Sequence, residues 1–350
     1  MVGRMRKQLN LSFILSLTYL VYGCGSGTTT TGPVNNVVPL VVDSGYNGNA
    51  VNGAFITIQV CQPGTNNCQT LDHVLVDSGS TGLHIDSSQL TLANLPAITY
   101  NNNPLFLCST YGGGGGSGYA SFGSLVSADI KIGGEVARNV PLTLVSNNQI
   151  IPSNCSHGLP FLNVYSLNGE KALMGVGPIN TPNSLAYPSV YTCNNNNCKN
   201  LESGATISTP LDENIVSTFT TDNNGVIFKL PKIESATNTP LIGTLTFGIN
   251  TQADNLASQF VNVLLADPSQ TDANSGNFIT NVGTEQTQSL FDSGTSFSVE
   301  FYSPTIPLCT GLLAGGIYCP VPSPYIFSST VSSYNATENF PITTPLIILH

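Results

Sequence analysis

Two short stretches, Asp77-Ser78-Gly79-Ser80 and Asp292-Ser293-Gly294-Thr295, each place a carboxylate at the head of a turn of small residues, 215 positions apart. Two carboxylates held at close range cannot both ionise easily, so such a pair shares one proton near its working pH. The charged member can then activate a water while the neutral one polarises a carbonyl, and the titration belongs to the pair. The neighbouring residues fit that task. Gly79 and Gly294 let the chain turn sharply and bring an N–H to each carboxylate. Ser78 and Ser293 carry hydroxyls able to tie the two loops together, and Ser80 and Thr295 are placed to donate to the outer carboxylate oxygens. Asp43-Ser44-Gly45 repeats the triad, but Tyr46 follows it and none of these neighbours is present. It sets the plain reading, in which an Asp accepts its own backbone N–H in a turn.

Each candidate carboxylate is preceded by an apolar run, Val74-Leu75-Val76 before Asp77 and Ser289-Leu290-Phe291 before Asp292. The repeated plan suits two lobes that contribute one carboxylate each. From Val37 onward, short apolar or alternating runs separated by Gly, Asn and Pro read as strands. They are Val37 to Val42, Ala54 to Val60, His73 to Val76, Ser127 to Ile132, Val140 to Val145, Val226 to Leu230, Thr244 to Ile249, Phe260 to Leu265 and Ser289 to Phe291. Helical periodicity is scarce, with Asp212 to Phe219 the best short candidate. Apolar residues make up 41% of the 350 and charged residues only 8%. This low-charge, turn-rich mixture belongs to an all-β extracytoplasmic protein rather than a helical bundle.

The amino terminus reads as an address. Arg4, Arg6 and Lys7 precede an uncharged, mostly apolar stretch from Leu9 to Tyr22, the pattern of a secretory signal. Val21-Tyr22-Gly23-Cys24 resembles a bacterial lipobox, which makes Cys24 the lipidation candidate, and Gly25 to Asn36 reads as a flexible tether. Without the first three basic residues, six basic side chains face 19 acidic ones, a net charge of −13. That balance excludes nucleic acid as a partner. Of nine cysteines, eight remain to pair if Cys24 carries lipid. Local pairing joins Cys61 with Cys68, Cys193 with Cys198 and Cys309 with Cys319, leaving Cys108 for Cys155. Eight cysteines allow 105 pairings, so the firm inference is the oxidising compartment.

The segment Val76-Asp77-Ser78-Gly79-Ser80-Thr81-Gly82-Leu83-His84-Ile85 resembles the first active-site segment of pepsin-like aspartic proteases. Phe291-Asp292-Ser293-Gly294-Thr295-Ser296 resembles the second. Between them, Ala172-Leu173-Met174-Gly175-Val176-Gly177 is similar to the strand that supports the first loop in that family. Gly123 to Gly134, with Asp129, resembles the strand after the substrate flap, and Gly243 to Gly248 the strand that closes the first lobe. The resemblance makes Asp77 and Asp292 catalytic, and Tyr119 or Tyr111 the flap tyrosine. Cys61 to Leu90 and Thr221-Asp222-Asn223-Asn224-Gly225-Val226 resemble a family of bacterial lipoproteins of unknown function.

The expected architecture is therefore all-β and bilobal with a cleft between lobes. The signal peptide spans 1–23, the tether 24–36, the first lobe 37–250 and a short, truncated second lobe 251–350. The apolar-Gly strand that would support the second loop is not evident. Peptide hydrolysis through Asp77, Asp292 and an activated water is the first expectation, with a peptide or protein substrate, no cofactor, no metal, and a monomer anchored by lipid in the bacterial cell envelope. An inactive scaffold binding peptide or glycan, or a structural envelope lipoprotein, is the alternative. Other chemistry is poorly served. No Gly-x-Ser-x-Gly elbow and no Cys-x-x-Cys pair is present. The histidines His73, His84, His157 and His350 lack ligand spacing and are expected to be solvated or structural, with His84 at the cleft rim.

Overall fold

Alternating apolar residues that must face one core, punctuated by Gly and Asn turns, make nearly all the regular elements among the described residues strands. The structure is a computed structural model that describes residues 35–111, 119–146, 151–155, 159, 169–178, 190–194, 197–201, 211–232, 239–259, 264–268, 276–282, 285–295 and 325–346. The expected signal peptide, Cys24, Cys309, Cys319, Gly112 to Gly116, His157, His350 and Ser296 lie outside the described residues. So does the expected tether, except for its end. There Asn36 is buried, and its amide donates to Phe247 O at 2.9 Å. All described residues belong to a single compact unit.

Thirteen strands form the larger sheet. They are β1 (Val37–Asp43), β2 (Gly53–Cys61), β3 (Cys68–Asp77), β4 (Thr81–Asp86), β5 (Thr99–Tyr100), β6 (Asn103–Tyr111), β7 (Tyr119–Ile132), β8 (Glu135–Val145), β9 (Ala172–Val176), β10 (Val190–Asn194), β11 (Asn197–Asn200), β12 (Val226–Lys229) and β13 (Leu241–Phe247). Their order is β11-β10-β6-β7-β8-β4-β9-β3-β2-β1-β13-β12, with β5 beside β6. An added pairing of β7 with β2 closes β2, β3, β9, β4, β8 and β7 into a ring. Closure removes edges that would otherwise expose unpaired backbone groups. The inward residues of these strands form the core, among them Ile58, Val60, Val74, Val76, Leu83, Ile85, Ile130, Leu142 and Met174. A smaller four-stranded antiparallel sheet holds β14 (Phe278–Val282), β15 (Glu285–Ser289), β16 (Tyr325–Ser332) and β17 (Asn339–Leu346) in the order β15-β14-β16-β17.

The expected all-β class holds, with local departures. Asp212 to Phe219 contains one turn of 3-10 helix, Ile215–Thr218, capped by Asn214, whose side chain accepts from Val216 N. Only Ile215 and Val216 of that turn are buried; a single buried turn gains too little to extend into an α-helix. The expected strand Ser289 to Phe291 ends at Ser289, because the chain turns there into the Asp292 loop. Leu264 and Leu265 are not strand residues either. Leu265 N donates to Ser333 Oγ, and its carbonyl accepts from Tyr334 N, which ties it to a turn rather than to a ladder. Three disulfides join Cys61 to Cys68, Cys108 to Cys155 and Cys193 to Cys198.

Candidate active site

β3 carries Val74, Leu75 and Val76 into the core and ends at Asp77. β9 lies between β3 and β4, parallel to the first and antiparallel to the second. Residues 78–80 must therefore cross over its end. The crossing is close: a Cβ on Gly175 would lie 2.4 Å from the backbone of Thr81, so only glycine fits. Just beyond, Gly177 N donates to Ser80 O at 2.8 Å, and Gly177 O accepts from the Asn214 side-chain amide at 2.9 Å. The loop that follows Asp77 is thus braced from β9 and from the segment before the 3-10 turn.

The second candidate loop follows β15 and meets the first at the two serines. Ser78 N donates to Ser293 Oγ and Ser293 N to Ser78 Oγ, both at 3.0 Å. Ser78 Oγ then donates to Phe291 O at 2.6 Å, and Ser293 Oγ to Val76 O at 2.7 Å. Four reciprocal hydrogen bonds join loops 215 residues apart. They also bring each glycine against the opposite carboxyl. A Cβ on Gly79 would lie 2.7 Å from Asp292 Cγ, and one on Gly294 would lie 2.6 Å from Asp77 Cγ.

The two carboxyls are thereby set close enough for the charge of Asp292 to bear on Asp77. Asp77 Oδ1 accepts from Gly79 N at 2.8 Å, and its Oδ2 accepts from Ser80 Oγ. Asp292 repeats the pattern, with Oδ1 accepting from Gly294 N and Thr295 N at 2.9 and 3.1 Å and Oδ2 from Thr295 Oγ1 at 2.6 Å. The pair is not symmetric. Asp77 is buried, whereas Asp292 is exposed, as are Leu290 and Phe291 before it. Burial first, and then the Asp292 charge, push the Asp77 carboxyl from its ordinary 3.8 up to about 6; the Ser80 hydroxyl pulls against that rise. The buried member is therefore the one that keeps a proton in mild acid.

Asp43-Ser44-Gly45 shares the local geometry, since Gly45 N donates to Asp43 Oδ1 at 2.8 Å. Its surroundings differ. Gly45 packs against the backbone of Gly169, with no second carboxylate loop facing it among the described residues. Tyr111 and Tyr119, the flap candidates, are cross-strand partners at the end of the β6–β7 hairpin, with ring centroids 6.2 Å apart. Tyr111 packs against the cluster of Ala50, Phe55, Leu75, Val145 and Leu173, to which the strand ending at Asp77 contributes Leu75.

Of the two expectations for the histidines, solvated or structural, His84 takes the structural one. It is buried, its Nε2 lies 3.0 Å from Asp212 Oδ1, and its ring meets Tyr111 edge-on at 6.0 Å. Gly82 makes room for the pair, since a Cβ there would lie 1.8 Å from Asp212 Oδ1. Nothing in the spacing of residues 128 apart announces this pairing; the only trace is a glycine two positions before His84. Among the described residues, no group of three or more His, Cys, Asp and Glu side chains is placed to hold a metal ion.

A family of proteins of unknown function, DUF3443, matches residues 32–344. The chain belongs to that family. No curated protein matches it. Among solved structures it is similar to an aspartic proteinase from Irpex lacteus, at 14% identity and a TM-score of 0.48, over 88% of this chain and 78% of that one.

Proposed function

We propose that this member of the family is an aspartic endopeptidase that cleaves extended peptides or proteins in acid. The observation that supports this reading is the four-bond clasp of Ser78 and Ser293, which holds the Asp77 and Asp292 carboxyls side by side, where two carboxyls readily share one proton. In the proposed reaction, neutral Asp77 donates a hydrogen bond to the scissile carbonyl. Asp292, ringed by backbone and hydroxyl donors that suit negative charge, takes a proton from a water as the water oxygen bonds to the carbonyl carbon. Asp77's proton passes to the carbonyl oxygen as the tetrahedral diol forms. Asp292 then gives its proton to the amide nitrogen, the C–N bond breaks, and a diol hydroxyl returns its proton to Asp77 as the new carboxyl group forms. The substrate binds as an added extended strand, under a hairpin whose tyrosine is Tyr111 or Tyr119. The leader and Cys24 extend the proposal to a monomeric lipoprotein of the bacterial envelope, facing an oxidising compartment.

The exposure of Leu290 and Phe291 beside Asp292 favours one second reading, a peptide-binding scaffold that keeps the clasp without turnover. Cleavage of an unfolded protein across pH 3 to 7 separates the two. An aspartic endopeptidase shows acid-dependent cleavage that a statine-type inhibitor blocks and that either Asp77→Asn or Asp292→Asn abolishes. Cleavage that survives both substitutions rules the reaction out, and peptide binding without cleavage selects the scaffold.

A further inference from the structure

Away from the candidate active site lies a second pair of carboxyls, and here both members are buried. Glu135 opens β8 just after the Gly133-Gly134 turn and is 2% exposed; Asp222 sits in the Thr221-Asp222-Asn223-Asn224-Gly225 turn and is 1% exposed. Thr221 Oγ1 donates to Glu135 and so brings the two carboxyls together at the start of that turn. Two buried carboxyls held this close favour a state in which one carries a proton.

The surroundings decide which one. Both Asp222 oxygens already have donors: Thr251 Oγ1 on Oδ1, and Gln252 Nε2 on Oδ2 at 2.5 Å. Asn255, fully buried, fixes those donors by accepting from Thr251 N and Gln252 N on its Oδ1 and donating to Phe247 O. Glu135 has a single side-chain hydroxyl, Thr221 Oγ1, at 3.3 and 3.5 Å from its two oxygens. The cradle therefore suits an ionised Asp222 and a protonated Glu135. It is also built for close approach. Asp222 has a left-handed backbone (φ 53°), and a Cβ on Gly248 would lie 2.6 Å from Asp222 Oδ1.

Other charges on the elements packed here are engaged elsewhere or face away. Arg138 on β8 is turned outward to Asp129, and Asp254 lies against the Asn36 amide. Lys131 on β7 alternates with the inward Ile130 and Ile132. The turn that carries Asp222 is the far end of segment 211–226. That segment packs Ile215, Val216 and Phe219 into the core, braces the Asp77 loop through Asn214 and Gly177, and pairs Asp212 with His84.

We propose that Glu135 and Asp222 form a proton-sharing clamp that locks segment 211–226 behind the Asp77 loop in acid and loosens when its proton leaves. The direction of the effect agrees with the titration. Burial, then the hydrogen bond and charge of Asp222, push Glu135 from 4.5 up to about 7. A carboxyl raised in this way binds a proton on folding. Its stabilisation is complete below 4.5 and is lost as pH rises through about 7. The clamp belongs to the scaffold and stands whether or not peptide hydrolysis is the reaction.

The test uses the full chain carrying Asp77→Asn, which removes the titration of the first pair, with and without Glu135→Gln. A glutamine at 135 keeps both contacts, donating to Asp222 and accepting from Thr221, but cannot ionise. Urea midpoints are measured between pH 5 and 8. The single variant should lose stability as pH rises through 7. The double variant should be flat across that window, with a folding equilibrium constant at pH 8 that is greater by roughly tenfold or more. Equal slopes in the two proteins overturn the clamp. If the double variant does not fold, carbon-13 NMR of labelled glutamate carboxyls in the single variant still decides. A glutamate titrating near pH 7 supports the clamp, and none titrating above the ordinary carboxylate range overturns it.

Discussion

Replacing Asp77 by asparagine should make the protein more stable at neutral pH while abolishing the proposed hydrolysis. The reasoning starts from burial. Asp77 is 6% exposed and touches a second carboxyl, and its pKa stands at about 6 against an ordinary 3.8. At about 1.4 kcal/mol per tenfold, that rise corresponds to about 3 kcal/mol between the two protonation states. The folded state holds the proton more tightly than the unfolded chain, so the stabilisation is complete below 3.8 and is lost as pH rises through about 6. By about pH 7.5 the wild-type chain has lost all of it. The Asp77→Asn variant has no such proton to lose. Its side-chain amide can still accept from Gly79 N and offers Asp292 a permanent N–H. The difference in stability, Asp77→Asn minus wild type, should therefore rise by about 3 kcal/mol between roughly pH 3.5 and 7.5. With a urea slope of roughly 3 kcal/mol/M for a chain of this size, this is a midpoint shift of about 1 M. The chain contains no tryptophan, so unfolding is followed by far-UV circular dichroism. Taking the difference cancels the contribution of Glu135, which slopes the same way in both proteins. A constant difference across the range would refute the claim that Asp77 is the proton-holding member of the pair.

Three further outcomes follow from the same geometry. Gly79→Ala should cut any Asp77-dependent cleavage by about 100-fold with the circular dichroism spectrum unchanged, because the new Cβ must displace Asp292 from a 2.7 Å approach and misplacement on that scale is costly to catalysis. Ser293→Ala removes an acceptor for Ser78 N and a donor to Val76 O. It should lower stability by about 1–3 kcal/mol in urea unfolding and raise the mobility of the Asp292 loop, read as faster hydrogen exchange at Gly294 and Thr295. Replacing Cys108 and Cys155 together by Ser opens a loop of 47 residues and should cost about 4 kcal/mol of unfolding free energy, lowering the thermal midpoint in proportion.

Much of the fold was legible in the chain itself. The apolar alternation of Val37 to Val42 and Ala54 to Val60 recurs as β1 and β2 because a half-buried strand needs period two and little else. Cys61 and Cys68 pair because they flank a hairpin in which they are direct cross-strand neighbours. The runs that failed lie where tertiary contacts override local pattern. Leu265 is apolar but held by Ser333 and Tyr334, and Ser289 to Phe291 breaks off because the chain must turn toward Ser78.

By itself, the sequence determined which residues are able to do chemistry: three Asp-Ser-Gly turns whose aspartates all accept the N–H two residues on, since that bond is local. The residues that follow set Asp43 apart, but only the tertiary structure gives each aspartate its surroundings. It buries Asp77, leaves Asp292 exposed, clasps the two through Ser78 and Ser293, and leaves Asp43 beside His73, with Gly45 against the backbone of Gly169. It likewise joins Glu135 to Asp222 and His84 to Asp212, pairings that no spacing foretells. A hydrogen bond within a turn is written in adjacent residues, whereas the sharing of a proton depends on desolvation and on a second charge brought from far along the chain.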